Sequence, residues 1–437
     1  LQGLRKVRES LTKALHLTVS AMNTTTRCAA LMAALLIAPG TASALTLAQA
    51  EQAMAAHNPD LLAAAIALRG TQGDAVSASR RPSPELSVGT SKISRQEGIG
   101  PGRWKDKRVD STLGLGWTWE RGGKRGWRMR QADALVEAAN LSLLDGRRQQ
   151  QVALTEAYFG LKAAQELQRI AAEDRRASAE SLAAADKQVA TGALAPIERA
   201  RLAVDDLKVA DAARETERGL REARHVLALL LGNDIDAALS ADDAWPRAGA
   251  TATPAPTALE ERVDLRAAEA RVIAADAARA LARSERRRDV QFGLEAEREP
   301  ADIGGVTWGV SMSVPLGGAK RWRGEQQRAE ADYDAAVLER QQLRRAATAE
   351  LDQLQHALAA AAQRRTEYEQ LQGPAARQSL DGLELAYRRG AATLTDLLDA
   401  RRSWREFESD LIDARLAHAS ALARWNAAVT ASEGHPR

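Results

Sequence analysis

The sequence predicts a mainly α-helical chain with a small β part, built as two internal repeats, and three observations lead there. The 437 residues are 45% hydrophobic but only 4% aromatic, with 9 Trp, 4 Tyr and 3 Phe, so the apolar content is largely alanine. An Ala-rich, charge-rich and aromatic-poor chain reads as long helices in bundles or coiled coils, because few side chains are large enough to fill a thick globular interior. Helical stretches without proline run for tens of residues, the longest being 124–190. At 1.5 Å per residue such a helix is about 100 Å long, a length that suits a coiled coil or a tube. Finally, four short runs alternate apolar with small or polar residues at the period of two that a strand requires.

Self-similarity orders these pieces. HNPDLLAA around Asp60 resembles ERVDLRAA around Asp264, 204 residues on, and PELSVGTS with Gly89 resembles RDVQFGLEA with Gly293 at the same spacing of 204. ERGGKRGWR, with Gly122 and Gly123, resembles PLGGAKRWR, with Gly317 and Gly318, at a spacing of 195, and TGALAPIERARL with Gly192 resembles RGAATLTDLLDA with Gly390 at 198. The drop from 204 to 195 places a longer loop in the first copy between residues 94 and 110. Each unit is therefore expected to run helix, β-hairpin, long helix, turn, helix. In the first repeat, 45–239, these are 46–80, the hairpin 85–94 with 110–120, 124–190, a turn near Gly192, and a helix from Pro196 to about Gly232. In the second, 258–430, they are 258–287, the hairpin 289–298 with 305–315, 319–388, a turn at 389–393, and 394–430. Pro246, Pro254 and Pro256 mark 240–257 as the linker, and 431–437 is a tail.

The N-terminus speaks to compartment. From Met22 a basic start, a short apolar run from Cys28 to Ala38 and the small triplet Ala42-Ser43-Ala44 read as a signal peptide over 22–44, with residues 1–21 an over-extended start and Leu45 the first mature residue. Without residues 1–44 the chain carries 56 basic against 57 acidic residues, so the formal charge of +3 leaves no basic footprint for nucleic acid. The single cysteine, Cys28, excludes a disulfide scaffold and a cysteine-based zinc site.

The alternating runs carry the most specific physics. Over 110–120, Leu113, Leu115, Trp117 and Trp119 share one face and Thr112, Gly114, Gly116 and Thr118 the other. Over 305–315, Val306, Trp308, Val310, Met312 and Val314 oppose Thr307, Gly309, Ser311 and Ser313; over 289–298, Val290, Phe292, Leu294 and Ala296 oppose Gln291, Gly293, Glu295 and Glu297. The first run, with Leu86 and Val88, is weaker. A large apolar face opposite a small polar one is the pattern of a transmembrane barrel strand, with Trp127 and Trp322 just beyond each hairpin where an interfacial girdle would lie alongside Trp117, Trp119 and Trp308. A soluble hairpin on a core would alternate similarly. Four strands cannot close a barrel and open edges are not tolerated in lipid, so the chain must oligomerise; three copies give 12 strands.

The two-fold repeat, the strand-to-helix junctions ERGGKR and VPLGGAKR, and the turns TGALAPIERAR and YRRGAATLTDLLDAR together resemble the TolC-like outer-membrane efflux channels over about 45–430. The resemblance implies a homotrimer with a 12-stranded barrel in the outer membrane on a long periplasmic α-helical barrel. It implies a passive exit duct in a tripartite pump, docking through a periplasmic adaptor to an inner-membrane transporter of the proton-driven RND class, without a cofactor. Gly192, Ala193 and Leu194, and Gly390, Ala391 and Ala392, match the tips that receive the adaptor, although small residues also simply end helices. Asp396 and Asp399 match the aspartates that narrow the closed pore; Asp396 is equally placed to cap its helix behind Thr393. Glu198 and Tyr387 match closed-state contacts, but the arginine of that network falls at Ala392, leaving Arg388 or Arg389 as substitutes.

Two rival classes are set against this reading. An enzyme is disfavoured because His16, His57, His225, His356, His418 and His435 are scattered and neither a helical His-Glu metal pair nor a phosphate loop occurs. A soluble periplasmic coiled-coil adaptor explains the helices but not the hairpins. WERGGKR and PIERARLAVDDLK are nearer to channels of cobalt-zinc-cadmium pumps, with a multidrug or solvent pump as the alternative; no metal-binding cluster is present in the sequence.

Overall fold

A computed structural model of the chain describes residues 44–96, 99–103, 106–232, 239–247, 249, 259–299, 305–316 and 319–429. The proposed start over 1–21, residues 22–43 of the expected signal peptide, and the tail lie outside the described residues. Strand β1 (Ala44–Leu45) leads into α1 (Leu47–His57) and α2 (Pro59–Ala78). The hairpin β2 (Glu85–Ser91) and β3 (Asp110–Trp119) follows, then α3 (Lys124–Ala190), α4 (Pro196–Leu231) and β4 (Ser240–Ala241). The second half has α5 (Val263–Ser284), the hairpin β5 (Val290–Glu299) and β6 (Gly305–Ser313), a 3₁₀ turn at Ala319–Trp322, α6 (Arg323–Glu367), a π-helical turn at Tyr368–Gln372, α7 (Gly373–Arg388) and α8 (Leu394–Val429).

Two expected helices are interrupted, each at a proline. The stretch 46–80 breaks at Asn58, whose side-chain oxygen accepts from the amides of Asp60 and Leu61 at 3.0 and 3.1 Å. Pro59 then takes the first helical position, where a missing N–H leaves no bond unmade. The stretch 319–388 widens into the π turn just before Pro374, which cannot donate to the carbonyl one turn back. The strands β2 and β6 end at Ser91 and Ser313, short of the expected 94 and 315; after Ser91 the chain turns at Lys92, whose φ is +56°.

The two hairpins form one antiparallel sheet in the order β2-β3-β5-β6. β3 and β5 are the seam between the halves, with Trp117 opposite Phe292 and their rings stacked at 5.6 Å. At its base, Lys124, only 4% exposed, reaches Glu285 at 2.9 Å and Asp289 at 3.0 Å, while Asp289 also accepts from the Arg121 amide at 2.9 Å. Burial opposes the charge on Lys124, but the hydrogen bonds to Glu285 and Asp289 outweigh it and raise its pKa, so the ammonium is held as a clasp between the start of α3 and the connection from α5 to β5.

The main core lies about halfway along α3, where Leu154, Tyr158 and Leu161 are fully buried against Met54, Leu61, Leu227 and Leu231. Tyr158 donates to the Leu45 carbonyl at 2.8 Å and accepts from the amides of Asp242 and Asp243, each at 3.1 Å. β1 pairs with β4 in parallel, Ala44 with Ser240 and Leu45 with Ala241. The expected linker is therefore not free where it begins: Ala241 is core, and Trp245 stacks on Phe159 at 5.6 Å and donates to Glu166 at 2.8 Å. Composition marked a loop, but apolar side chains ahead of Pro246 gave it something to bury.

A second buried polar group fastens the other half. Arg365 donates to the Pro246 carbonyl and meets His418 Nδ1 at 3.3 Å; its Nε pairs with Glu369 at 3.2 Å, as does Arg415 at 2.9 Å. A guanidinium only donates, so Nδ1 is the acceptor and the ring is neutral.

Candidate functional site: the sheet faces and the helical tips

The sheet has two chemically different faces. Val310, Val88 and Trp308 are 82%, 77% and 73% exposed, and Leu86, Leu113, Leu115, Trp117, Trp119, Val306 and Met312 share their exposed side. Such a contiguous apolar surface marks contact with something other than water. Trp119 pairs with Val290, whereas Trp308 pairs with Ala296, six positions along β5. At about 3.3 Å per residue, tryptophans stand roughly 20 Å apart along the strands. Trp127 and Trp322 follow in the first turns of the helical part, both half-buried, with Arg130 and Arg321 guanidinium carbons 6.0 and 5.4 Å from their ring centres. On the opposite face the same register aligns Ser87 with Gly114 and Glu295, and Thr112 with Glu297 and Thr307.

At the far end of the long helices the two turns share one geometry. Gly192 and Gly390 adopt φ of +75° and +72°. Ala193 N–H donates to Gln188 and Gly192 N–H to Val189 at 2.8 and 3.0 Å; Ala391 N–H donates to Ala386 and Gly390 N–H to Tyr387 at the same distances. Both are Schellman motifs, which need a left-handed residue that glycine supplies without strain. The helices that follow start differently. α4 begins at Pro196 with no side-chain cap, whereas α8 has a complete capping box: Asp396 N–H donates to Thr393 Oγ1 at 3.2 Å, and Thr393 N–H and Oγ1–H donate to Asp396 Oδ2 at 2.9 and 2.7 Å.

The sequence-derived positions fall as follows. Ala193, Gly192, Gly390 and Ala391 are exposed and Leu194 and Ala392 half-exposed at the two tips. Asp396 is exposed, and the Thr393 hydroxyl and then the Thr393 amide hold its carboxyl below the usual range. Asp399 is exposed one turn on, 3.6 Å from Arg402. Leu194 and Tyr387 line one crevice of about 230 Å³ between the two helical hairpins, but Glu198 and Tyr387 do not hydrogen-bond to each other. Arg388 pairs with Glu384 of its own helix at 3.3 Å.

Sequence reasoning missed the ties between the hairpins. Arg401 of α8 reaches Ser181 of α3 at 3.3 Å and Glu384 of α7 at 3.4 Å, and Arg201 of α4 reaches Thr395 of α8 at 3.2 Å. Nothing in the linear pattern sets these arginines apart from the many that sit on solvated helix faces. Among the described residues no group of three or more His, Cys, Asp or Glu is placed to hold a metal ion, and no helix is long and apolar enough to cross a membrane.

A small sheet with an exposed apolar face, carried on long charged helices, is the build of an outer-membrane channel. The chain belongs to the outer membrane efflux protein family, which matches residues 51–233 and 255–429. It is similar to the cobalt-zinc-cadmium resistance protein CzcC of Cupriavidus metallidurans, 26% identical over 400 residues, covering 89% of each chain. In fold it resembles the outer-membrane channel OprN, with a TM-score of 0.75, 22% identity and coverage of 88% of this chain and 89% of that one. It likewise resembles the CmeC outer membrane channel of Campylobacter jejuni, with a TM-score of 0.74, 18% identity, and 89% and 87% coverage. The protein is thus an outer-membrane efflux channel with a long periplasmic helical extension, and not an enzyme.

Proposed function

We propose that the chain is the trimeric exit duct of a tripartite efflux pump, passively conducting heavy-metal cations delivered by a periplasmic adaptor and an inner-membrane transporter of the RND class. The observation that carries the trimer is the open sheet: β2 and β6 are each paired on one side only among the described residues, and lipid does not tolerate an unpaired edge. Three copies in ring order make a 12-stranded barrel from the two internal repeats, with the apolar face and the tryptophans toward lipid and Glu295 and Glu297 toward the water-filled lumen. Cross-linking in native membranes is expected to trap a species of three chains; a monomer that conducts ions would overturn this architecture.

The substrate class rests on the similarity to the cobalt-zinc-cadmium resistance protein across nearly the whole chain. A strain lacking the gene is expected to lose tolerance to zinc, cobalt or cadmium; unchanged metal tolerance with new drug sensitivity would reassign the duct to a multidrug or solvent pump. The tips around Ala193 and Ala391 receive the adaptor, their small residues allowing close approach, and Glu198 and Tyr387 help hold the closed state. Replacing Ala193 or Ala391 by a bulky charged residue is expected to abolish efflux while leaving trimer and insertion intact.

Asp396 and Asp399 form the resting constriction, six carboxylates in three copies, which favours cations. Because Asp396 also caps α8, Asp399→Asn is the cleaner test. It is expected to raise single-channel conductance and weaken cation preference with the melting temperature unchanged; unaltered conductance would discard the gate.

A further inference from the structure

The longer loop of the first hairpin has no counterpart in the second, where residues 300–304 are all that separate β5 from β6. Residues 92–109 carry six basic residues, Lys92, Arg95, Arg103, Lys105, Lys107 and Arg108, against two acidic ones, Glu97 and Asp106. That surplus exceeds the +3 of the entire chain, so cations are concentrated here against a nearly balanced remainder. Lys92 is committed to Asp110 at 2.8 Å. The Lys107 ammonium caps the Gly100 carbonyl at 2.7 Å, and Arg108 N–H donates to Ile99 at 3.2 Å. Asp106 is occupied with the Arg103 amide at 3.3 Å. Arg95, Arg103 and Arg108 are exposed, and among the described residues none has an ion-pair partner. Beside them Ile93 and Ile99 are 68% and 45% exposed.

The register places this loop. Trp308 lies level with Leu113, because both pair with Ala296, and Asp110, where the loop joins β3, is three residues farther from the helices. At about 3.3 Å per residue the arginines begin roughly 10 Å beyond Trp308, at headgroup depth when the strands span the membrane. Guanidinium groups beside exposed isoleucines match a phosphate layer above an acyl boundary, since arginine binds phosphate bidentately while apolar neighbours add burial. A free soluble anion would not explain the isoleucines.

We infer that the described part of this loop, residues 92–96, 99–103 and 106–109, is a docking surface for phosphate-bearing anionic lipid of the outer leaflet, with Arg95, Arg103 and Arg108 as its contacts and Ile93 and Ile99 set against the acyl boundary. The inference rests on the reading of the four strands as the membrane-spanning part. Its test uses the full chain, purified in neutral detergent, with diphosphorylated lipid A as the probe and inorganic phosphate as the competitor. The triple variant Arg95→Gln, Arg103→Gln, Arg108→Gln is expected to bind lipid A on the order of 100-fold more weakly, the effect of losing three cations beside an anionic surface. Arg95→Lys, Arg103→Lys, Arg108→Lys should restore most of that affinity, added salt should weaken wild-type binding, and millimolar phosphate should not displace the lipid. Equal lipid A binding by the Gln variant would overturn the inference, and displacement by micromolar phosphate would replace it with a soluble-anion site. Insertion and conductance in phosphatidylcholine vesicles separate the two levels. Failure of the wild type there strikes at the channel itself; normal insertion of the Gln variant with undiminished lipid A binding removes the loop's role alone.

Discussion

The sheet and the mid-helix core use apolar residues in opposite senses. Around Tyr158 the large side chains are enclosed, with Leu154, Leu161 and Leu227 at 0% exposure, whereas on the sheet Val310 and Trp308 are more than two-thirds exposed. The core excludes water by packing helices from both halves and the segment after Leu239 around one tyrosine. On the proposed reading the sheet instead depends on an apolar solvent outside the protein. Hydrophobic residues therefore do not by themselves indicate an interior; what they face is decided by the partner available.

Substitutions that act on one region and spare the other sharpen this contrast. Leu154→Ala should have the largest effect, a loss of about 2–5 kcal/mol from lost burial and the cavity left behind, read from melts in detergent and lipid alike. Val310→Arg should cost about 2–4 kcal/mol per copy but only in a bilayer, so insertion fails while the helical melt in detergent is unchanged. An effect of equal size in both media would mean that the sheet face packs on protein. Tyr158→Phe removes the hydroxyl that serves Leu45, Asp242 and Asp243 and should cost about 1–3 kcal/mol, with faster proteolysis near residue 245 as a local readout.

Smaller effects are expected farther from both. Nothing stands within 4 Å of a Cβ added at Gly192 or Gly390, so Gly192→Ala and Gly390→Ala should each cost about 1 kcal/mol through the left-handed backbone alone, equally at the two tips and additively in the double variant. The gentlest is a pH dependence. Burial, and then the Arg365 guanidinium, lower the His418 pKa from 6.5. The folded chain binds this proton less readily than the unfolded one, so the stabilisation is complete above about pH 6.5 and is lost as pH falls toward the lowered pKa. The negative charge of Glu369 in the π turn, paired with Arg365 and Arg415, limits the shift. Melts of His418→Gln should show a flatter slope in that window than wild type.

Much of this was legible in the linear pattern. The alternation over 110–120 and 305–315 placed β3 and β6, because strand faces follow from a period of two. Thr191-Gly192 and Arg389-Gly390 announced helix ends, and both proved to be Schellman turns with the same bonds. The breaks at Asn58 and around Tyr368–Gln372 were missed although Pro59 and Pro374 were visible, since a proline is compatible with either a new start or a widened turn. At the tips, Thr393 and Asp396 were readable as a cap, whereas Arg401 with Ser181 and Glu384 was not, because it joins residues up to 220 positions apart.

Local chemistry thus settled the kind of each element: alanine-rich stretches without proline make helices, alternation makes strands, and glycine after a helix makes a left-handed turn. Those are short-range effects carried by the residues themselves and their near neighbours. Only the tertiary structure decided that β3 pairs with β5 across the two halves, that the segment after Leu239 joins the core under Tyr158, and that Lys124 clasps Glu285 and Asp289. Such pairings are chosen by burial and charge compensation between segments far apart in the chain, Tyr158 and Asp242 by 84 positions and Lys124 and Asp289 by 165, and no local window of sequence contains both partners.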